Sequence, residues 1–417
     1  MRVRYALGAT CLASALAIAF GACDQGTPGT SRADGARPDR APLRPLVDIG
    51  GEGGPEELSG VTGAMSLSDG RIVIGNGATN EIRFFSADGG YLETIGRRGG
   101  GPGEFYGLLW VGVAPGDTIL AYDIRSQRLS RFAPDGRYVR GTQVDTHLWS
   151  GSIIGQFADG SLVVVSNSFP LPRSRPEGLG IDTIALLRFS PDGGRPASVA
   201  SLPAWEMYWA GRGAAMVGFG FPVYRKLQVV VCDSSVIAGY PDSARVWRVE
   251  ADGQRLGALT LPLSQRAIPA AERAQMTRER IARASPEFRA RIEAAINAGN
   301  VLPANRPLFS GLGSDGTGTL WLGLSADEHA SSSEWVRFTP NGDVIDTVRL
   351  APRARFASTA GDRVIVVSRD EDDVQHVIVY RIPPLPALAG ARSASGATGA
   401  ASNPGCGRGF YSALDRG

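Results

Sequence analysis

An all-β fold built from repeated sheets is what this sequence predicts, and three observations carry the prediction. Residues 55 to 89 match 102 to 136 at a constant offset of 47 without a gap, pairing Pro55 with Pro102, Glu57 with Glu104, Ile72 with Ile119, Asn76 with Asp123, Phe85 with Phe132 and Gly89 with Gly136. Self-similarity at such a period marks a repeat architecture, in which each unit buries its apolar face on the next. Second, an alternating strand runs into a D-G or N-G turn in IRFFSADGGYL, LSRFAPDGRYV, LLRFSPDGGRP, VWRVEADGQRL and WVRFTPNGDVI, with turn glycines at 89, 136, 193, 253 and 342. These dipeptides predict type I′ hairpins, whose two central residues both need φ > 0. Third, each unit has an inner strand upstream, in GRIVIGN, DTILAYD, GSLVVVS, SSVIAGY, GTLWLGL and RVIVVSR. Six units of about 50 residues across 45–385, with an insertion at 263–303 set aside, describe a six-bladed β-propeller of four-stranded antiparallel blades.

Residues 1–22 read as a signal peptide: MRVR puts two positive charges ahead of an apolar run from Tyr5 to Phe20, followed by small residues. The run is shorter than the roughly 20 residues a membrane span requires. Gly21 and Ala22 directly before Cys23 resemble a bacterial lipobox, with Phe20 where an aliphatic residue is usual. The resemblance implies lipidation of Cys23 and a membrane-anchored lipoprotein on the periplasmic side; ordinary cleavage after Ala19-Phe20-Gly21 is the alternative. Residues 23–44 are small, polar and rich in Gly and Pro, which predicts a flexible tether. PLVDIG, 45–50, precedes the first complete unit and is expected to close the last blade, because a circular array must hide its terminal edges. The sixth unit, RVIVVSRDEDDVQHVIVYRIPP, is degenerate: it has both strands, but Pro383-Pro384 replaces the turn.

Period-2 alternation stops in PAAERAQMTRERIARASPEFRARIEAAINAGN, 269 to 300, which reads as a helical hairpin between blades four and five. Ser285 is placed as an N-cap, Pro286 at the first helical position, Glu287 in the first turn and Gly299 just past the end. Phe288, Ile292 and Ile296 form one apolar stripe, expected to pack on the propeller face. Residues 386–417 are too rich in small and polar residues to bury much apolar area, which predicts a disordered tail. With Cys11 removed and Cys23 lipidated, Cys232 and Cys406 remain. Cys232 ends the apolar run LQVVVC, so a buried thiol and no bridge is the expectation.

Net charge is +2, and Lys226 is the single lysine among scattered arginines and carboxylates, which is not the footprint of a nucleic-acid binder. His147, His329 and His376 lack metal-ligand spacing, no C-x-x-C pair occurs, and no G-x-S-x-G elbow or P-loop is present. The sequence therefore nominates no catalytic residue, no metal ligand and no cofactor. IGRRGGGPGEF, Ile95 to Phe105, has the glycines of a phosphate cradle, but it recurs as IGGEGGPEEL and precedes a strand, so it reads as the joint between two blades. Arg97 and Arg98 remain from it as candidates for the channel mouth. Two other connectors combine aromatics with a cation: VDTHLWSGS supplies His147 and Trp149, and PAWEMYWAGRG supplies Trp205, Tyr208, Trp209 and Arg212 beside Glu206. Such groups suit a small-molecule, sugar or peptide pocket, or else wedge between blades as core.

GRRGGGPGEF followed by AYDIRSQRLSRFAPDGRYV resembles the NHL-type six-bladed propeller repeat at Gly101, Gly103, Phe105, Asp123, Arg128, Leu129, Phe132 and Gly136, closely in blades one and two and faintly afterwards. The resemblance implies a propeller that hosts binders, scaffolds or enzymes alike. NHL-like relatives include metal-using amidating lyases, and gluconolactonase-like propellers hold a divalent cation in the channel. The expectation from the residues is an exported, lipid-anchored monomer that binds a protein or small molecule in the cell envelope. An envelope enzyme of those metal-bearing types, and a structural partner of an assembly machine, are the alternatives.

Overall fold

The computed structural model describes residues 42–51, 53–144, 152–166, 176–190, 196–212, 216–232, 234–299, 301–315, 318–326, 330–384 and 406–412. The signal peptide, most of the tether, Cys23, His147, Trp149 and His329 lie outside the described residues.

A short strand, β1 (Pro45–Ile49), comes first. Blade one is β2 (Val61–Ser66), β3 (Ile72–Asn76), β4 (Glu81–Phe85) and β5 (Tyr91–Ile95). Blade two is β6 (Leu108–Ala114), β7 (Thr118–Asp123), β8 (Arg128–Phe132) and β9 (Tyr138–Gln143). Blade three has β10 (Ser152–Gln156), β11 (Leu162–Ser166), β12 (Gly178–Phe189), β13 (Ala197–Ala210) and β14 (Val217–Phe219). Blade four has β15 (Gln228–Cys232), β16 (Ser235–Gly239), β17 (Arg245–Glu250) and β18 (Arg255–Thr260). The helices α1 (Ala270–Ala282) and α2 (Pro286–Asn297) follow. Blade five is β19 (Gly311–Ser314), β20 (Leu320–Gly323), β21 (Ser333–Phe338) and β22 (Val344–Leu350). Blade six takes β23 (Arg355–Ala360), β24 (Arg363–Arg369) and β25 (Gln375–Arg381), with β1 as its outer strand. A last strand, β26 (Cys406–Ser412), pairs with β15.

The first strand of each blade lies against the first strand of the next, from β2 through β6, β10, β15, β19 and β23 back to β2, so the ring is closed. Close approach there is steric as much as apolar: a Cβ on Gly63 of β2 would stand 2.3 Å from Val111 O of β6, so only glycine fits. Apolar side chains fill the seams between blades. Val73 and Phe84 of blade one meet Phe105 and Val111 of blade two, and Trp321 and Trp335 of blade five meet Phe356 and Val366 of blade six. The closing strand works the same way, since Val47 and Ile49 of β1 pack with Ile72, Phe85 and Val379.

Four findings correct the sequence reading. The four D-G and N-G turns among the described residues are not type I′; the one at Gly193 lies outside them. Gly89, Gly136, Gly253 and Gly342 have φ between 79° and 95°, while the preceding Asp or Asn keeps negative φ. Each glycine N–H donates three residues back, as Gly89 to Ser86 O at 3.0 Å, and the ladder shifts register beside it, as between Phe84 and Phe85. These are three-residue loops with a glycine bulge, which D-G serves equally well. The tail is not wholly without order, because Cys406–Ser412 forms β26. Cys232 is disulfide-bonded rather than a free thiol. The helical stripe packs elsewhere than expected: Ile292 and Ile296 meet an extension of blade three, and Phe288 is exposed.

Candidate functional site

The connectors between blades and the turns from second to third strands share one face. Its joints are built by backbone hydrogen bonds. In the connector from Ile95 to Phe105, Phe105 N donates to Arg97 O at 2.9 Å and Gly99 N to Phe105 O at 3.1 Å, while Gly101 N donates to Glu104 Oε2 at 2.8 Å. Arg128 clamps the loop from below, donating to Gly100 O and Gly101 O, each at 2.9 Å, and to Glu104 O at 2.5 Å. Arg83 holds the preceding joint by donating to Pro55 O at 2.9 Å and Glu57 O at 2.6 Å. Loop amides bound to their own chain cannot cradle a phosphate. The Gly101 amide, followed by the Arg97 guanidinium, holds the Glu104 carboxyl below the usual carboxylate range. Arg97 therefore pairs with Glu104, at 2.6 Å, and is 79% exposed; Arg98 is exposed beside it.

The second-strand ends are where a channel metal would find ligands, and their chemistry does not fit one. Asn76 Oδ1 accepts from Ser59 N at 2.7 Å, and Asn76 Nδ2 donates to Thr79 Oγ1 at 3.0 Å. Asp123 accepts from Tyr106 N at 2.6 Å, Arg125 N at 2.8 Å and Ser126 N at 3.1 Å, and it has no exposed surface. Among the described residues, no three His, Cys, Asp or Glu side chains gather as a donor set.

The channel itself is occupied. β26 runs antiparallel to β15, with Gln228 opposite Ser412 and Cys232 opposite Cys406, and its backbone lies against β10, β19, β23 and β6 as well. The inner edge of blade four is thus paired by the chain's own C-terminal segment.

The aromatic connector lies in none of these places. Its first part, PAWEMYWA, Pro203 to Ala210, is the far half of β13, which continues the β12–β13 ladder from Thr183–Pro203 out to Gly178–Trp209. β11 stops pairing at Ser166–Ala185, so this hairpin projects beyond the blade on the connector face. There it meets the helical insertion. Tyr208, Phe219, Phe221 and Tyr224 form a chain of rings with centroids 5.3 to 6.0 Å apart, and Met276, Ile292 and Ala295 of the helices close over them. Arg280 of α1 lies over Phe219 at 5.6 Å, where burial, then the neighbouring Arg283, lowers its basicity. The Tyr224 hydroxyl donates to Val301 O, and burial raises its pKa well above the usual phenol range. Glu206 is buried as an ion pair with Arg225, whose backbone N–H also donates to it at 2.9 Å.

The structure therefore scatters the residues that sequence proposed for one mouth. Trp205 packs in the seam between blades three and four, Tyr208 is interior to the cap, Trp209 is buried on β13, and Arg212 is exposed at the hairpin tip. Packing as core, rather than a pocket, is the outcome for the described aromatics. What sequence missed is the outer strand of the cap: Leu179 and Ile181 of β12 are 46% and 51% exposed, on a stretch whose β11-side edge has no partner strand among the described residues. The alternation L-G-I-D-T-I in that strand was the available signal.

A family profile described as "6-bladed beta-propeller" matches residues 56–163, the first two blades and the start of the third. No curated protein matches the sequence. Solved structures similar to it include a Bacteroides fragilis protein described as exported, at 14% identity, covering 81% of this chain and 94% of that one with a TM-score of 0.45. A member of the duf4221 family from Bacteroides vulgatus shows 10% identity over 81% and 94%, TM-score 0.45. Virginiamycin B lyase from Staphylococcus aureus shows 10% identity over 80% and 98%, TM-score 0.41. None of these likenesses bears on function. A closed ring of six sheets and the family match together identify the chain as a six-bladed β-propeller.

Proposed function

We propose that this chain is an exported, lipid-anchored propeller that binds a partner protein in the bacterial cell envelope through its cap. One observation carries the reading: the β12–β13 extension and the helical pair pack together as a cap on the connector face, and the outer strand of that cap, with no β11-side partner strand among the described residues, has Leu179 and Ile181 exposed. An open edge with alternate apolar side chains supports recognition by strand addition, in which main-chain hydrogen bonds give affinity and side-chain contacts give selectivity. Export is supported by the charged and apolar N-terminal residues before Cys23 and by the Cys232 disulfide, a bond typical of oxidising compartments.

A photo-crosslinking residue at position 181, introduced in the producing bacterium, is expected to capture a discrete protein that the same residue at exposed Val139 of β9 does not. Leu179→Asp should reduce that adduct about tenfold or more. Equal labelling from both positions, or none from 181, would overturn the cap as the binding surface. The metal-enzyme alternative has its own measurement, elemental analysis of the purified protein. The bonded state of Asn76 and Asp123 predicts less than stoichiometric divalent metal and a melting temperature unchanged by EDTA.

A further inference from the structure

We propose that the central channel is a binding site for an extended peptide, filled in this chain by Cys406–Ser412 and latched by a disulfide between Cys232 and Cys406. The inference concerns a different place from the cap and does not depend on it. Three independent features converge. β15 pairs on one side with β16 and on the other with β26, so a strand edge that faces the channel is completed by a segment that arrives from the far end of the chain. The register sets Cys406 directly opposite Cys232, and Cys232 is disulfide-bonded. Directly opposed residues of an antiparallel pair have the Cα separation that a disulfide requires.

The inner strands beside β26 are closely packed on one another. Val229, Val230 and Val231 of β15 are buried, and a Cβ on Gly155 of β10 would come 2.8 Å from Val231, so the inner strands are already in contact around the axis. CGRGFYS has no proline to interrupt the ladder. The strand enters at Cys406, beside the hairpin-bearing face, and ends at Ser412 near the connector face.

Release is a thiol–disulfide exchange with a small-molecule or protein dithiol. One thiolate of the dithiol attacks one sulfur of the bond and forms a mixed disulfide, expelling the other cysteine as a thiolate. The second thiol of the dithiol then closes its own disulfide and expels the remaining cysteine. Two electrons and two protons pass from the dithiol, leaving Cys232 and Cys406 as thiols and the dithiol as a disulfide. Without the covalent link β26 must hold its place by pairing alone, and β15 becomes open to another extended segment.

The experiment uses the full chain. Peptide mapping of the oxidised protein without reductant is expected to yield one linked pair joining the peptides that contain Cys232 and Cys406. Hydrogen exchange of the peptide covering β15 should accelerate about tenfold or more on treatment with dithiothreitol, while the peptide covering β7 of blade two stays unchanged. Cys406→Ser should reproduce the accelerated β15 exchange without reductant. A synthetic peptide of the sequence Cys406–Ser412, its cysteine supplied as the 2-thiopyridyl disulfide and added to Cys406→Ser, should then form a mixed disulfide with Cys232 as the Cys232 thiolate displaces 2-thiopyridone, seen as the mass of one peptide and reversed by dithiothreitol. Absence of the linked pair, or β15 exchange that ignores reduction, would sink the latch. Failure of the synthetic peptide to add while β15 is open would sink the peptide site. Loss of folding in Cys406→Ser leaves the reduction of the wild-type chain as the deciding measurement.

Discussion

Arg337 has no exposed surface, and its guanidinium donates to both oxygens of Asp346, at 2.7 and 2.6 Å, and to Pro383 O at 2.7 Å, with the Trp321 ring 5.3 Å away. Two charges out of water hold each other. Removing one partner strands the other, so Asp346→Ala should cost about 3–5 kcal/mol in urea denaturation, whereas Arg337→Met with Asp346→Leu should recover most of that loss. A single variant as stable as wild type would contradict the pairing. Glu104 makes a different case, because it is only partly buried and its effect depends on acidity. Its folded pKa is lowered, so its contribution is fully present above its unfolded value of about 4.3 and fades as pH falls through the folded one. Glu104→Gln is expected to flatten the acid side of the stability profile, read from urea midpoints between about pH 3 and 6; parallel profiles would remove the carboxylate from the account. Neither role was legible in the sequence. An arginine in WVRF looks like any outward strand residue, and only the register across β21 and β22 sets Asp346 against it.

Elements were legible where their signals are local. The described D-G and N-G turns and the proline-initiated helix at Pro286 depend on a few consecutive residues and returned as loops and α2, and the 47-residue repeat, which needs no knowledge of spatial partners, returned as the strands of blades one and two. The far half of β13 was not legible, because its aromatics satisfy an interblade wedge, a pocket and a projecting ladder equally well until β12 is known to run beyond β11. β26 was harder still: its partner β15 lies far away in sequence, and CGRGFYS shows no period-2 alternation of apolar and polar residues. At this scale the closing strand is the firmest test. β1 pairs with β25 from Pro45–Tyr380 to Ile49–Val377, and Val47 and Ile49 are 6% and 2% exposed. Deleting residues 45–50 should lower the melting temperature by about 5 °C or more through the loss of that ladder and its buried side chains. An unchanged melting temperature would mean that blade six stands without its fourth strand.

For the whole molecule, ring closure could be counted from sequence because each blade repeats the same grammar, while the chemistry could not. The residues that differ between blades, not those that repeat, built the cap and filled the channel. The proposed anchor belongs to this scale as well. Cys23→Ala is expected to abolish incorporation of labelled fatty acid and to move the protein from the membrane to the soluble fraction; labelling that persists would end the lipoprotein reading. Closure by an N-terminal strand has a mechanical side. Pro45 begins β1, so a pull arriving through the preceding segment meets the Leu43 N–H bond to Arg349 O and then the β1–β25 seam. Drawn along the strand, that load is shared in shear by all the paired residues at once; drawn across it, the pairs separate in succession like a zip. His376, 2.9 Å from Asp48 and 3.4 Å from Asp370, sits on that seam as a polar rivet. A protein held at its N-terminus would thus carry tension on the same few residues that complete its circle, and the direction of pull would decide whether the ring resists or opens.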